Sequence, residues 1–158
     1  METRKLVYSF ATSRRSLSQF VETLLSFSVR YAVDVRRFPH SSRFPHFCRE
    51  PLQRALKEAG IVYLHFGKAL GGYRRTGYEN FTKSAVFRRG LRALIFLAAR
   101  APTCFFCAEA RWQRCHRRFI ADALTADGWF VLHITAPNRA SPHQTTLFKE
   151  QNLAGLQD

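Results

Sequence analysis

Short apolar runs recur along this chain and alternate with longer segments in which apolar residues follow a helical period. Runs of about four to eight apolar, β-branched or aromatic residues between turn residues are typical of strands. Five such runs predict strands at residues 6–10, 31–35, 61–66, 103–107 and 129–134. The second, third and fifth runs are almost continuously apolar, which a sheet covered on both faces requires.

The segments between these runs predict helices, because their apolar residues recur every three to four positions. The four expected helices span residues 17–27, 49–59, 85–100 and 115–126. Ser16 is placed to cap the first helix, and serine is a favoured cap residue. Gly60 and Gly128 end the second and fourth helices, as glycine commonly does.

Strands that alternate with helices of this length indicate a parallel sheet with helices on both faces. We therefore expect an α/β fold in a single domain, with about five mostly parallel strands in a Rossmann-like three-layer arrangement. No internal repeat or linker divides the chain. Residues 1–135 are assigned to the α/β domain, and residues 136–158, which contain few apolar positions, to a C-terminal arm belonging to the same domain.

The charge of the chain favours a polyanionic partner. Lysine and arginine number 25 against 11 acidic residues, giving a net charge of +14, and each phosphate that such a surface neutralises releases a counterion. DNA is the expected partner and RNA the alternative. No apolar run approaches the roughly 18 to 20 residues of a membrane span, and no leader is evident. We expect a cytoplasmic monomer without a cofactor, nucleoid-associated if it binds DNA.

In parallel sheets, ligand sites lie beyond the carboxyl ends of the strands. Asp34 ends the second predicted strand and Glu109 follows the fourth, so we expect the two carboxylates to lie at the same edge. Such a pair is able to orient water and stabilise a developing positive charge, as in glycosidic bond cleavage. Alternatively, both carboxylates have structural roles: Asp34 is buried and neutralised by an arginine, and Glu109 forms a salt bridge.

Three of the four cysteines lie close together in the stretch 103–118. A zinc site is disfavoured, because positions three apart on a strand face opposite sides, and no metal is expected. Cys115 is expected near a helix N-terminus beside His116, which lowers the pKa of a thiol and suits a nucleophile. Cys107 is the other candidate. The residues expected to be catalytic are Glu109, Asp34, His116 and Cys107.

Arginine and aromatic residues are interleaved in the predicted loops at 36–47 and 72–78 and around the fourth helix start. Arginine binds phosphate, while aromatic rings stack on bases or wedge between them. The expected phosphate-binding residues are Arg36, Arg37, Arg43, Tyr73, Arg74, Arg75, Arg111, Arg114, Arg117 and Arg118. The expected stacking or wedge residues are Phe38, Phe44 and Tyr78. Alternatively, some of these rings pack the loops onto the sheet.

Several motifs together resemble the family known as domain of unknown function 488, across roughly residues 6–146. The matching segments are 34–36, 42–47, 70–72, 107–109, 115–118, 133–134 and 142–143 with Thr145. The resemblance implies that one site contains Asp34, Arg36, Cys107, Glu109, Cys115, His116 and Arg117. It supplies no reaction. One departure is that Ala11 and Thr12 stand where the family usually has glycine followed by histidine or tyrosine.

Three functions follow as hypotheses. The leading one is a nucleic-acid-acting enzyme, specifically one that repairs DNA by releasing a damaged or modified base, as a DNA glycosylase does. The second is a cysteine-dependent enzyme of sulfur transfer or redox chemistry. The third is a DNA- or RNA-binding module without catalysis.

Overall fold

The computed structural model describes residues 5–145. Its strands are β1 Leu6–Ala11, β2 Tyr31–Asp34, β3 Val62–His65, β4 Thr103–Cys107, β5 Phe130–Ala136 and β6 Arg139–Pro142. Its α-helices are α1 Leu17–Ser26, α2 Arg49–Glu58, α3 Gly67–Leu70, α4 Tyr78–Phe81, α5 Ala85–Ala98 and α6 Arg117–Ala126. Two short 3-10 turns, Pro45–Phe47 and Trp112–Arg114, precede α2 and α6.

The strands form one sheet in the order β3-β2-β4-β1-β5-β6. β1 to β5 are parallel, and β6 pairs antiparallel with β5. This confirms the predicted α/β fold with a mostly parallel sheet. Because β2, β4 and β1 are neighbours, their carboxyl ends open side by side at one edge of the sheet.

Two hydrophobic cores cover the two faces of this sheet. Residues of α1 and α2, including Phe20 and Leu52, pack on one face, and residues of α5 and α6, including Leu94 and Ile120, pack on the other. All five residues of β4 are buried, with alternate side chains entering opposite cores. The predicted three-layer arrangement is therefore confirmed.

The chain beyond β5 contains a strand where the sequence predicted an arm. β5 extends to Ala136, and β6 follows after a tight connection in which Asn138 adopts a positive φ of 58°. β6 escaped prediction because its four residues include arginine and proline and show no apolar alternation. The remainder of the predicted arm, from residue 146, lies outside the described residues.

Local sequence explains the helix starts that border the site. At α1, Ser16 and Gln19 form a reciprocal capping box, which satisfies two backbone N–H groups that would otherwise lack partners. α6 starts at Arg117, two residues later than predicted, because Cys115 is extended, with φ −115° and ψ 153°.

Among residues 5–145, the structure contains no helix with the length and apolar character that crossing a membrane requires.

Candidate active site

An open cleft of about 1010 Å³ lies at the carboxyl ends of β1, β2 and β4, as expected for a parallel sheet. Its walls come from the segments that follow these strands and from the loop after α3. The residues that line it include six arginines and one carboxylate, namely Arg14, Arg36, Arg37, Arg43, Arg74 and Arg114, with Glu109. The cleft therefore favours an anionic ligand.

Two thiols meet on the cleft wall. The Sγ atoms of Cys107 and Cys115 lie 2.7 Å apart, although eight positions separate the residues. Cys107 is 2% exposed and Cys115 7% exposed, and both border the cleft. Both residues are free cysteines in this structure. Cys104 faces the opposite core, as the alternation of the strand predicted. The local fold therefore brings together the two thiols that share the cleft side of the sheet.

The pair is arranged to share one proton. The pKa of Cys115 is lowered, first by a hydrogen bond from Cys107 and then by His116 and the positive charge of Arg117, while burial opposes the shift. The pKa of Cys107 is raised by burial and by its hydrogen bond to Cys115. The backbone N–H of Arg117, at the start of α6, also points to Cys115 Sγ at 3.5 Å. These shifts and the N–H of Arg117 favour the thiolate form at Cys115 and the thiol form at Cys107.

Arg117 supplies the buried positive charge beside this pair. Its side chain is 2% exposed, and it donates to Ser9 Oγ at 2.7 Å and to the carbonyl of Glu109 at 2.6 Å. Its Nε has no hydrogen-bond partner, and no carboxylate of the described residues forms an ion pair with it. Burial alone would lower the pKa of Arg117, but its electrostatic and hydrogen-bond interactions with Cys107 and Cys115 outweigh burial and raise it. A thiolate is therefore the counter-ion that this arginine requires.

His116 connects the thiolate to the opposite wall. Its Nε2 lies 2.7 Å from the carbonyl oxygen of Val35 and must carry the proton, since a carbonyl only accepts. Its Nδ1 faces Cys115 Sγ at 3.6 Å. Gly72 lies against the same ring, where an added Cβ would come within 3.2 Å of Nδ1. The imidazole is thereby held in position to exchange a proton with the thiol.

Glu109 is the carboxylate that reaches the cleft. Its side chain is exposed, and Oε1 accepts a hydrogen bond from the backbone N–H of Arg111 at 3.0 Å. This bond orients the carboxylate at the turn after β4. Among the described residues, Glu109 forms no salt bridge to Arg111 or Arg117, so the structure does not support the salt-bridge alternative for this residue.

Asp34 does not join Glu109 in the cleft, which differs from the prediction. It is fully buried, and Arg36 donates from Nε and Nη2 to its two oxygens at 2.9 and 2.8 Å. Tyr63 OH donates to Oδ2 at 2.5 Å. Arg36 also donates from Nη1 to the carbonyl of Phe47 at 2.7 Å. Asp34 and Arg36 therefore form a structural ion pair that fixes the loop after β2, and Arg36 keeps no free nitrogen for a phosphate.

The other predicted phosphate-binding residues divide into two groups. Arg37, Arg43, Tyr73, Arg74 and Arg114 line the cleft. Arg75, Arg111 and Arg118 do not line it, and Arg117 is buried against the thiols. Arg74 is partly committed to the fold, because it stacks on Phe81 and donates to the carbonyl of Gly71. The side chains of Arg37, Arg43 and Arg114 are the ones best placed to meet an anion.

Two exposed rings stand at the cleft rim. Phe38 is 65% exposed and Tyr73 86% exposed, with ring centroids 6.2 Å apart. Tyr73 is held at a positive φ of 58°, a conformation that bulky residues rarely adopt. These two rings are accessible to a planar ligand.

Phe44 and Tyr78 were predicted as stacking or wedge residues, but both are half-buried. Phe44 packs against the core beneath α1 and α2. Tyr78 packs against Phe87 and His116, and its hydroxyl donates to the carbonyl of Leu70 at 2.7 Å. Both line the cleft as part of its wall, so the packing alternative describes them better.

Comparison with known proteins addresses the resemblance noted in the sequence. The model of the family described as domain of unknown function DUF488 matches residues 16–124. The chain belongs to the DUF488 family. Neither the search of curated proteins nor that of solved structures found a match.

Sequence reasoning missed a second buried polar cluster in this DUF488 protein. His133 Nδ1 lies 2.8 Å from Ser9 Oγ, and His133 Nε2 lies 2.9 Å from His143 Nδ1. His143 Nε2 in turn lies 2.7 Å from Asp122 Oδ1. The signals present were a histidine inside the apolar run of β5 and the histidine of the family's C-terminal motif. Their meeting depends on β1 lying beside β5, which the sequence did not specify.

No cluster of three or more His, Cys, Asp or Glu side chains in residues 5–145 has the geometry to hold a metal ion.

Proposed function

We propose that this DUF488 protein is a thiol-dependent redox enzyme in which Cys107 and Cys115 exchange two electrons with an anionic substrate bound in the arginine-lined cleft. The observation that carries the proposal is the 2.7 Å contact between the two Sγ atoms at the cleft wall. Two thiols at that separation are close enough to form a disulfide after a small rearrangement. The buried charge of Arg117 favours the thiolate form, which is the reactive form.

The roles of the two cysteines follow from their surroundings. The Cys115 thiolate attacks one sulfur of a substrate disulfide, forms a mixed disulfide and releases the other half of the substrate as a thiolate. Cys107 then gives its proton to the substrate thiolate released in the first step and attacks Cys115 Sγ, which forms the Cys107–Cys115 disulfide and releases the second half as a thiolate. Two electrons pass from the pair to the substrate, and an external dithiol must reduce the pair before the next cycle.

The cleft supports an anionic substrate. Arg37, Arg43 and Arg114 line the walls without carboxylate partners among the described residues, and arginine forms charge-assisted bonds to phosphate or carboxylate. A nucleic acid or another phosphate-bearing molecule carrying oxidised sulfur fits this charge and the exposed rings of Phe38 and Tyr73.

Oxidised glutathione, an anionic disulfide, is a suitable probe. The reduced full-length protein should consume it and form the Cys107–Cys115 disulfide, detected by peptide mass spectrometry. Cys107→Ser should accumulate a mixed disulfide on Cys115, because no second thiol resolves it, and Cys115→Ser should form none. Cys48→Ser is the matched control, since Cys48 is a half-buried thiol outside the pair. Equal reaction of Cys48 and Cys115, with no 107–115 disulfide, would refute the proposal.

Base release from DNA remains a second candidate because Glu109 is exposed in a basic cleft with two accessible aromatic rings. The two-carboxylate form of that mechanism loses support, since Asp34 is buried and paired. A panel of oligonucleotides carrying alkylated, deaminated or oxidised bases tests it. Glu109→Gln should abolish cleavage while Cys115→Ser preserves it. Salt-sensitive binding without either chemistry would instead favour the non-catalytic module.

A further inference from the structure

The buried hydrogen-bonded cluster that contains His133 and His143 has no part in the proposed electron transfer. It nevertheless contacts the Arg117 guanidinium through Ser9. We infer that Ser9, His133, His143 and Asp122 form a hydrogen-bonded relay that positions Arg117 and stabilises its charge beside the thiol pair. These four are positioning residues, and the inference rests on the proposed thiol chemistry.

The donors and acceptors of the relay follow one direction. Arg117 donates from Nη1 to Ser9 Oγ, so the hydroxyl hydrogen of Ser9 is available to donate to His133 Nδ1. His133 therefore carries its proton on Nε2 and donates to His143 Nδ1. His143 then carries its proton on Nε2 and donates to Asp122. Each atom in the chain has one defined role, and the tautomers of both histidines are fixed.

This direction connects a cation to an anion through neutral groups. The chain begins at the buried guanidinium of Arg117 and ends at the Asp122 carboxylate, which is 22% exposed. Successive hydrogen bonds that point the same way polarise one another. The negative charge at Asp122 therefore makes Ser9 Oγ a stronger acceptor for Arg117, although the two charged residues form no ion pair with each other.

The neutral state of His133 supports the arrangement. Burial, followed by electrostatic interactions with His143 and Arg117, lowers the pKa of His133 to about 3. A second proton on Nδ1 would leave Ser9 with two donors directed at its oxygen and no acceptor for its own hydrogen. The relay thus requires the uncharged imidazole that the surroundings impose.

Trp112 packs against both histidines of the relay. Its ring stacks on His133 at 4.3 Å with an interplanar angle of 4°, and it meets the edge of His143 at 4.7 Å. Trp112 belongs to the 3-10 turn between Glu109 and Cys115. The segment that carries the thiolate therefore also shields the histidines from water.

Other titratable groups that face this site must be considered in any pH experiment. Besides His116 and His133, three groups in the described part of the chain interact electrostatically with Arg117 or with the thiol pair. They are Arg15 in the turn after β1, Cys104 in β4 and Tyr78 in α4. Burial raises the pKa of Cys104 and of Tyr78. Both stay protonated between pH 4 and 9, so neither contributes a titration in that range.

The test is the pH dependence of alkylation of Cys115 by iodoacetamide, followed by peptide mass spectrometry on the reduced full-length protein. Asp122→Asn keeps the shape of the side chain and an acceptor oxygen but removes the charge. We expect the midpoint of the rate profile to rise by up to about one pH unit, because Arg117 is held less firmly beside Cys115, whereas the loss of a negative charge alone would lower it. The plateau rate at high pH should stay unchanged. Asp127→Asn, the same change at an exposed position after α6, should leave the midpoint in place.

His133→Gln provides a second variant, because it removes the acceptor of the Ser9 hydroxyl and should shift the midpoint further. If circular dichroism shows that this variant is unfolded, the Asp122 and Asp127 pair decides alone, since both are at least partly exposed. Profiles of Asp122→Asn that overlay the wild type would overturn the relay. A wild-type midpoint at the ordinary value of a free cysteine would instead refute the proposed thiol chemistry and the relay with it.

Discussion

Two buried arginines in this protein obtain their counter-charges in different ways. The Arg36 guanidinium donates two hydrogen bonds to Asp34, so a carboxylate balances its charge directly. Arg117 has no carboxylate partner in the part of the chain that the structure describes, and it lies beside two thiols. The Arg36 charge is balanced by a carboxylate and contributes to the stability of the fold. The Arg117 charge is instead available to stabilise an ionised thiol during the reaction.

The Asp34 pair should therefore affect stability strongly. Asp34→Asn leaves the Arg36 guanidinium buried without a negative partner, and breaking such a pair costs about 3–5 kcal/mol of unfolding free energy. Urea denaturation followed by circular dichroism measures this loss. Glu58→Gln at an exposed position near the end of α2 removes the same charge and should change stability by less than about 0.5 kcal/mol. A similar small effect at Asp34 would contradict the structural role.

His133 should make the fold sensitive to acid. In the unfolded chain a histidine takes up its proton near pH 6.5, whereas folded His133 stays neutral down to about pH 3. The unfolded state thus binds more protons between these values, and stability falls as the pH drops below about 6.5.

Between pH 7 and pH 5 this histidine should account for about 2 kcal/mol of lost stability. Urea unfolding of wild type and His133→Gln at both pH values measures the contribution. The glutamine variant does not titrate, so its loss across the interval should be smaller by that amount. Parallel losses in the two proteins would show that His133 is accessible to protons in the fold.

At the scale of elements, the loop after α3 positions the chemistry without supplying a reactive atom. A Cβ on Gly71 would overlap the carbonyl of Gly67 and the backbone of Arg37, so the loop packs closely on the segment after β2. Gly72 then lies directly against His116. Two adjacent glycines thus allow three separate segments to converge beside Cys115.

Gly72→Ala tests this contact. Its Cβ would approach His116 Nδ1 to 3.2 Å, so the imidazole must move by a few tenths of an ångström away from its position beside Cys115. We expect a several-fold slower alkylation of Cys115 at pH 6 to 7 and little change in thermal stability. Tyr73→Ala alters the neighbouring exposed residue of the same loop without approaching the ring, and it should alkylate at the wild-type rate. Equal rates in both variants would argue against a positioning role for Gly72.

The elements also show why prediction succeeded in some places. The bounds of β4 were predicted without error because its continuous apolar run is recognisable from the local sequence alone. The ionic partner of Asp34 was foreseeable two residues along the chain, but its burial was not, because Tyr63 reaches it from the neighbouring strand β3. Likewise, Ser9 and His133 meet only because β1 pairs with β5. Local pattern predicts elements, whereas these contacts depend on strand order.

At the scale of the whole molecule, the chain has a net charge of +14, and six of its arginines line the cleft. Association with a polyanion should therefore depend steeply on salt. Arg36 is bonded to Asp34; if the other five contact phosphates of a single strand, the slope of log K against log salt should approach about −3.5.

Arg37→Gln combined with Arg43→Gln should reduce the magnitude of that slope by about 1.4, because each neutralised phosphate contributes about 0.7 for single strands. Fluorescence anisotropy with a labelled oligonucleotide, titrated at several salt concentrations, measures it. Arg88→Gln with Arg92→Gln removes equal charge from α5, outside the cleft lining, and should leave the slope nearly unchanged. Equal losses in the two double variants would indicate that binding is spread over the surface.

The position of β1 has a consequence for how this chain is made. Tyr8 pairs with Cys104 on one side and with Leu132 on the other, so the earliest strand becomes an interior strand whose neighbours both come late. While a ribosome is still synthesising the middle of the chain, β1 has neither neighbour, and its apolar residues and both backbone edges stay open to other chains. Such long-range pairing also slows folding. Nascent chains of this protein should therefore depend on chaperones that bind unfolded segments until β4 and then β5 have been synthesised.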